Sequence, residues 1–466
     1  MRKYSLLPFN FTRISGKELL INELGDILIT PEGSVESIIS HTISDDNLYK
    51  SLVANFFISE SIFPPLLDIY ASRLRMKKGF LDDKTSLHIF VLTLRCNQNC
   101  TYCQASSQEE MSKHCTMTKQ TMEASVQLMF RSPSQHLTME FQGGEPSLEY
   151  ELIKFGIERA EEINKKEQRN LTYVLCTNCR HLTDELLELC KQYHILISTS
   201  LDGPAFIHNK NRGREDSYEK TIEGIAKARK ELGHDAVSAL MTTSELALEY
   251  PKEIVDEYVN DGFSGIFLRA LNPYGLAAKN ENWKNYNDRF VDFYKSALNY
   301  IIELNQCGTF FREEYASIIL RKILTPYTTG FVDLQSPAGT INSVIVYNYD
   351  GYVYASDESR MLAEIRDYTF RLGNVTDRYE DIVYGTKARN IGKVWANETL
   401  AGCSNCPIQA YCGADPVRHY STQGDMYGFR PTSLVCKKNK AIIEYILSLI
   451  VERGNEVLPI FRNWIR

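Results

Sequence analysis

Apolar and polar positions along this chain fall into three regimes. Up to about residue 85, short apolar runs break at glycines. The segment Ile14–Thr30 alternates around Gly16 and Gly25, which predicts a β-hairpin, and two short helical patterns follow at Val35–His41 and Asn47–Phe57. From His88 the pattern becomes strand, helix, strand, helix. Runs at 88–94, 137–142, 172–177, 195–200, 239–243 and 265–271 read as strands, and 118–130, 149–165, 184–193, 218–232, 251–260 and 282–305 as helices. Such alternation implies βαβ units and a parallel sheet. Six units predict an α/β fold of the partial (β/α)6 TIM-type barrel kind, with chemistry at the C-terminal strand ends. Beyond about residue 310 the regularity fades. Residues 341–354 read as a hairpin turning at Asp350–Gly351, and a cysteine-rich tail leads to a helix at Lys440–Glu452. The expected domains are a small α+β module at 1–85, the barrel at 86–310 and a tail domain at 311–466.

Composition narrows the function classes. The 466 residues are 43% hydrophobic and 24% charged, the profile of a globular protein. A net charge of −7, from 52 basic and 59 acidic residues, argues against a nucleic-acid partner. No run of about 18 apolar residues predicts a membrane span, and the opening MRKYSLLPFNFTRISGKELL lacks the features of a signal peptide. A cytoplasmic location is expected. There the twelve cysteines point to metal binding or catalysis rather than disulfides.

Directly after the first barrel strand the chain reads LTLRCNQNCTYCQ, which sets Cys96, Cys100 and Cys103 in a C-x3-C-x2-C array. Three thiolates on one tight loop can each hold one iron of a cubane cluster, leaving a fourth iron open to a small molecule. The competing readings are zinc, whose structural sites want four ligands, and three unrelated buried cysteines. The second strand ends in Gly143, Gly144, Glu145 and Pro146, and the third in Thr177-Asn178-Cys179.

These motifs resemble the radical S-adenosylmethionine (SAM) family. The resemblance implies a 4Fe–4S cluster on Cys96, Cys100 and Cys103 whose open iron takes the amino and carboxylate groups of SAM. An electron then breaks the sulfonium bond and yields a 5′-deoxyadenosyl radical. Tyr102 matches the aromatic that lies near the adenine. Gly143 and Gly144 admit the methionyl amino group, with Glu145 supporting that site, and Asn178 faces it. Cys179 departs from the family's T-N-G, and Cys176 and Cys179 read as packing residues. The stretch Ser198–Pro204, followed by HNKNR to Arg212, resembles peptide-modifying members. Ser200 is there a candidate for the SAM carboxylate or ribose, and Asp202 reads equally as part of that site or as a cap on the next turn.

In the tail, Cys403-x2-Cys406-x5-Cys412 with Cys436 downstream suits zinc or an iron–sulfur cluster. It resembles the SPASM domain, whose full pattern holds two auxiliary clusters. Pro416, Ser356 and Arg378 stand where ligands of the first auxiliary cluster are usual. The resemblance therefore implies one auxiliary 4Fe–4S cluster, on Cys403, Cys406, Cys412 and Cys436. Asp357 falls where a sulfatase-maturing relative places its catalytic aspartate, which implies a general base. The bland reading is an exposed turn residue ending the hairpin.

LLPFNFTR (6–13), LLINELGDILI (19–29), FLRALNPYGLA (267–277), SDESRML (356–362), FRLGNV (370–375) and CGADP (412–416) together resemble the His-Xaa-Ser system radical SAM maturases. That resemblance implies a ribosomally made precursor peptide with His-Xaa-Ser repeats, often beside a second radical SAM maturase, and a reductant such as flavodoxin or ferredoxin. A carbon–carbon crosslink at a side-chain carbon is the favoured product. The module at 1–85 then fits leader-peptide recognition by β-augmentation, in the manner of a winged-helix domain, or else a structural cap. The alternatives are a sulfatase-type maturase making an aldehyde from Cys or Ser, and a non-catalytic iron–sulfur carrier or scaffold.

Overall fold

The computed structural model describes residues 2–60, 64–279, 282–327, 329 and 332–466. Residues 61–63 of the expected N-terminal module and 328, 330 and 331 of the tail therefore lie outside the described residues.

Three antiparallel strands replace the expected N-terminal hairpin: β1 (Phe9–Ile14), β2 (Lys17–Asn22) and β3 (Ile27–Pro31) pair in chain order. β1 escapes the hydrophobic pattern because none of its residues is fully buried. Helices α1 (Ser34–Ile39) and α2 (Asp46–Ala54) fall on the two helical patterns, the second capped by the Asp45 side chain, which accepts from Asn47 N–H. Alternate residues of β2 serve two cores. Leu20 packs with Val35, Ile38, Leu52 and Phe57 inside the module, while Leu19 and Ile21 join the main core of the molecule.

β4 (Leu87–Thr93), β5 (His136–Gly143), β6 (Asn170–Thr177), β7 (Leu196–Ser200) and β8 (Val237–Leu240) then lie side by side in chain order, all parallel. The intervening helices Lys119–Met129, Tyr150–Glu167, Asp184–Gln192 and Ser217–Leu232 sit where the periodicity places them. This is the α/β architecture expected. The sixth strand is much shorter than its apolar run. Only β9 (Gly265–Ile266) forms a ladder, and it pairs with β10 (Arg312–Glu313) rather than β8. Leu268 N–H turns to the buried Glu313 carboxylate at 3.1 Å, so the chain rejoins the barrel only through a Thr243–Ala270 bridge.

The hairpin expected in the tail is present as β11 (Val344–Tyr347) and β12 (Tyr352–Tyr354), turning at Gly351 with φ 83°. It does not stand apart from the barrel. β11 pairs in parallel with β4, and β13 (Arg371–Asn374) extends the sheet to eight strands in the order β8-β7-β6-β5-β4-β11-β12-β13. The last helix runs over Leu434–Trp464, longer than the expected 440–452 at both ends. Its chain kinks at Arg453, yet Val457, Ile460, Phe461 and Trp464 carry the buried stripe onward. Among the described residues, no helix is long and apolar enough to cross a membrane.

Candidate active site

The loop that leaves β4 is pinned from two directions. Asn99 and Thr101 N–H groups donate to the carbonyls of Arg212 and Asn211 at 3.2 and 2.8 Å, and Leu276 N–H donates to Cys103 C=O at 2.8 Å. Cys96, Cys100 and Cys103 are half-buried, none is in a disulfide, and all three line one cavity of about 270 Å³. Tyr102, Gly143, Gly144, Glu145, Asn178, Ser200 and Asp357 line the same cavity. Pro146 does not reach it, and instead opens the buried turn Pro146–Glu149 behind.

Besides lining the cavity, the two glycines make a close backbone approach to the cysteine loop. A methyl group added at Gly143 would lie 2.2 Å from Thr93 C=O, and one at Gly144 would lie 2.3 Å from Arg95 C=O. Gly144 and Glu145 N–H groups donate to those same carbonyls at 2.8 and 2.7 Å. Thus the glycines seat the β5 end directly against the cysteine loop. Glu145, 1% exposed, accepts from Asn178 N–H (2.8 Å), Thr177 Oγ1 (2.6 Å) and Ser147 N–H (3.0 Å), tying β5 to β6. Asn178 Nδ2 donates to Asn97 Oδ1 at 2.7 Å, inside the cysteine loop. Cys179 holds φ 58° where a glycine is usual, and packs in the core as expected.

Asp202 does not cap a turn. It is fully buried, paired with Arg212 through contacts of 2.7 and 2.9 Å, and accepts from Tyr102 O–H at 2.6 Å and Asn211 Nδ2 at 3.2 Å. Arg212 also reaches Cys100 Sγ at 3.9 Å. The pair holds the Asp202 carboxyl below its ordinary range against the opposing effect of burial. Burial pushes the Cys96 thiol up to about 12 and raises that of Cys100. These thiols stay protonated at neutral pH until a metal displaces the protons.

Asp357 is not in an exposed turn. It opens the helix Asp357–Ala363 behind the Ser356 cap, faces the cavity, and lies 3.3 Å from the guanidinium of Arg360. Arg360 is 1% exposed and also donates to Ala105 C=O at 3.2 Å, so it links the tail to the cysteine loop. Cys176 also lines the cavity, held by Glu140 from the neighbouring strand, so it is not merely a packing residue. Arg269 completes the wall. Sequence reasoning misses Glu140, Arg269 and Arg360, because each acts through strands and loops remote in sequence. Asp202 and Arg212 were legible only as a motif.

Among the described residues, no group of three or more His, Cys, Asp or Glu is poised to hold a single metal ion. The three cysteines of the loop all line one cavity, which is what a shared cluster requires of them. In the tail, Cys406 N–H donates to Cys403 C=O at 2.9 Å, and Ser433 caps the helix that carries Cys436 in its first turn. Cys436 feels the charges of Cys403 and Cys406, and Cys412 those of Cys436 and Cys403, so these thiols lie within electrostatic range of one another. Burial pushes Cys412 up to about 11. None of the residues at the three replaced ligand positions is a thiol, and Arg378 projects outward beside Glu380. Both donor sets fit iron–sulfur chemistry.

A mixed sheet with five side-by-side parallel strands and a three-cysteine loop at the C-terminal end of its first parallel strand is the α/β arrangement of a radical SAM enzyme. Residues 90–257 match the profile of the Radical SAM superfamily, and the protein is an enzyme of that kind. Over 387 residues it is 23% identical to a cysteine-type anaerobic sulfatase-maturating enzyme of Clostridium perfringens, covering 78% of this chain and 96% of that one. It is 29% identical over 367 residues to a serine-type anaerobic sulfatase-maturating enzyme of Bacteroides thetaiotaomicron, covering 71% and 82%. In fold it is similar to native anSMEcpe with bound AdoMet (TM-score 0.64, 19% identity, 80% and 100% covered). It is also similar in fold to Streptococcus suis SuiB bound to the precursor peptide SuiA (TM-score 0.53, 12% identity, 93% and 100%).

Proposed function

We propose that the protein is a peptide maturase whose substrate is a ribosomally made precursor with His-Xaa-Ser repeats, and whose product is a carbon–carbon crosslink at a side-chain carbon. The observation that carries this reading is the placement of Asp357 in the same cavity as Cys96, Cys100 and Cys103. A radical site and a carboxylate within one enclosure suit oxidation of a carbon that must lose both a hydrogen atom and a proton.

When bound, the cluster on Cys96, Cys100 and Cys103 together with SAM supplies the radical that removes the hydrogen atom. Tyr102, Gly143, Gly144, Glu145, Asn178 and Ser200 hold SAM, and Pro146 fixes the turn beneath. Asp357 takes the proton, with Arg360 keeping its carboxylate aimed into the cavity. Cys403, Cys406, Cys412 and Cys436 hold one auxiliary 4Fe–4S cluster. The module at 1–85 recognises the leader, a second maturase acts on the same precursor, and a flavodoxin or ferredoxin supplies electrons in the cytoplasm.

A second reading is favoured by the two sulfatase-maturating relatives: oxidation of Cys or Ser to an aldehyde with the same aspartate as base. Mass spectrometry separates them, since a crosslink removes two hydrogens from a peptide carrying His-Xaa-Ser repeats and joins two residues, whereas the aldehyde stays on one. Asp357→Asn is expected to lower product formation by roughly 10²–10⁴-fold while 5′-deoxyadenosine still forms. Unchanged product formation, with both clusters loaded, would remove Asp357 from the mechanism.

A further inference from the structure

Arg430 is 9% exposed and directs its Nε–H at Cys403 Sγ, 2.9 Å away. Its remaining contacts are neutral. Nη1 donates to Tyr427 C=O at 2.6 Å and Gly428 C=O at 3.3 Å, and meets the ring of His419 at 3.2 Å. That imidazole is buried against Ser433, and burial with the nearby guanidinium pushes its pKa down to about 4, so it stays uncharged. Among the described residues no ion pair within 4.0 Å joins Arg430 to a carboxylate, and the Asp425 charge reaches the region only through its effect on the same imidazole. A buried cation with no anion is costly, so the arrangement calls for negative charge on the sulfur side.

Two lysines approach the same four thiols with less force. Lys440 lies near Cys406 and Cys436 but is exposed and shared with Glu444 at 3.7 Å. Lys322 Nζ donates to the backbone carbonyls of Leu334 (2.6 Å) and Cys412 (3.0 Å), so its N–H groups are directed at oxygens rather than at a sulfur. A guanidinium, unlike an ammonium, also offers its N–H groups in a fixed planar fork.

We propose that Arg430 is the positioning residue that sets the reduction potential of the auxiliary cluster, raising it through a charge-assisted hydrogen bond to the Cys403 sulfur. This rests on the auxiliary-cluster reading above. A cubane held by four thiolates is an anion and gains a further negative charge on reduction. A fixed cation with an N–H pointed at one ligand sulfur therefore favours the reduced form, and hydrogen bonds to sulfur are among the levers that set such potentials. A raised potential makes the site a better acceptor for the electron that a substrate radical gives up when it becomes a closed-shell product. The proton of that step goes to Asp357.

The test uses the full chain with Cys96, Cys100 and Cys103 changed to Ala, so that only the tail cluster is loaded. Iron and sulfide are counted, and the midpoint potential is read by titration under electron paramagnetic resonance. With Arg430 present, four irons per chain are expected. Arg430→Gln should keep them and shift the reduction equilibrium toward the oxidised form by roughly tenfold, about 59 mV for one electron. Arg430→Lys, which keeps the charge but not the directed Nε–H, should show a smaller fall. An unchanged potential in a fully loaded Arg430→Gln protein overturns the proposal. If that variant fails to load, Arg430→Lys decides: a fall supports the proposal and no change overturns it. Absence of iron from the Arg430 protein itself sinks the auxiliary-cluster reading, and this inference falls with it.

Discussion

Cys96, Cys100 and Cys103 reach their cavity from one short loop, whereas Cys403, Cys406, Cys412 and Cys436 are gathered from a loop and from the first turn of a helix well downstream. The barrel site opens onto a cavity of about 270 Å³ shared with SAM-binding candidates and Asp357. At the tail site one sulfur meets the buried guanidinium of Arg430 at 2.9 Å. Both sets bear thiols raised by burial, so pKa does not distinguish them. Their surroundings do. Three ligands beside open volume leave room for a substrate on the metal, while four ligands beside a fixed cation suit a closed group that only changes charge.

The sharpest way to break this contrast is to remove one thiol from each site. Alanine at Cys96, Cys100 or Cys103 should abolish 5′-deoxyadenosine formation while the tail keeps its iron. Alanine at Cys412 should do the reverse: SAM cleavage continues, tail iron is lost and peptide product disappears. Anaerobic chromatography with an iron assay reads both. Loss of SAM cleavage on removing Cys412, in protein that still holds barrel iron, would show the two sites to be one functional unit.

A smaller effect probes what supports each site. Asp202 and Arg212, buried under the barrel loop, form a pair whose breakage by Asp202→Asn or Arg212→Met should cost about 3–5 kcal/mol in denaturant unfolding. The double replacement should cost less than the sum of the two, because it leaves no uncompensated charge. Additive losses would mean that the pair contributes nothing as a pair.

The smallest expected effect concerns the seam between the two regions. His88 on β4 is fully buried, its ring bonded to Tyr347 O–H on β11 and to Thr85 C=O, both at 2.9 Å. Burial pushes its pKa down from 6.5 to about 3. Below pH 6.5 the unfolded chain therefore takes up a proton that the folded chain refuses. The stability His88 contributes is present above that pH and drains away as the pH falls toward about 3. Replacing His88 with Gln should flatten that slope in unfolding curves taken between pH 7 and 4, and an unchanged slope would rule the residue out.

The sequence by itself determined whatever is carried by contiguous residues or strict periodicity. The five parallel strands and their helices follow from apolar runs separated by helical patterns. The cysteine loop, Gly143–Pro146 and Thr177–Asn178 follow from motifs that must sit at strand ends to work. Asp202 and Arg212 belong to one legible motif, but nothing in it says that they pair, or that Asp202 is the buried hub under Tyr102. The rest was decided by tertiary structure, because long-range pairing leaves no local trace. Nothing in residues 344–347 says that they extend the barrel sheet beside β4, nor does the apolar run at 265–271 reveal that Glu313 will draw its backbone away from β8. Cys176, Arg269 and Arg360 are ordinary side chains until the barrel closes and the tail helix brings Asp357 to face them. Arg430 lies in a loop with no periodic pattern, and its chemistry exists only because folding carries its guanidinium to a sulfur 27 residues away.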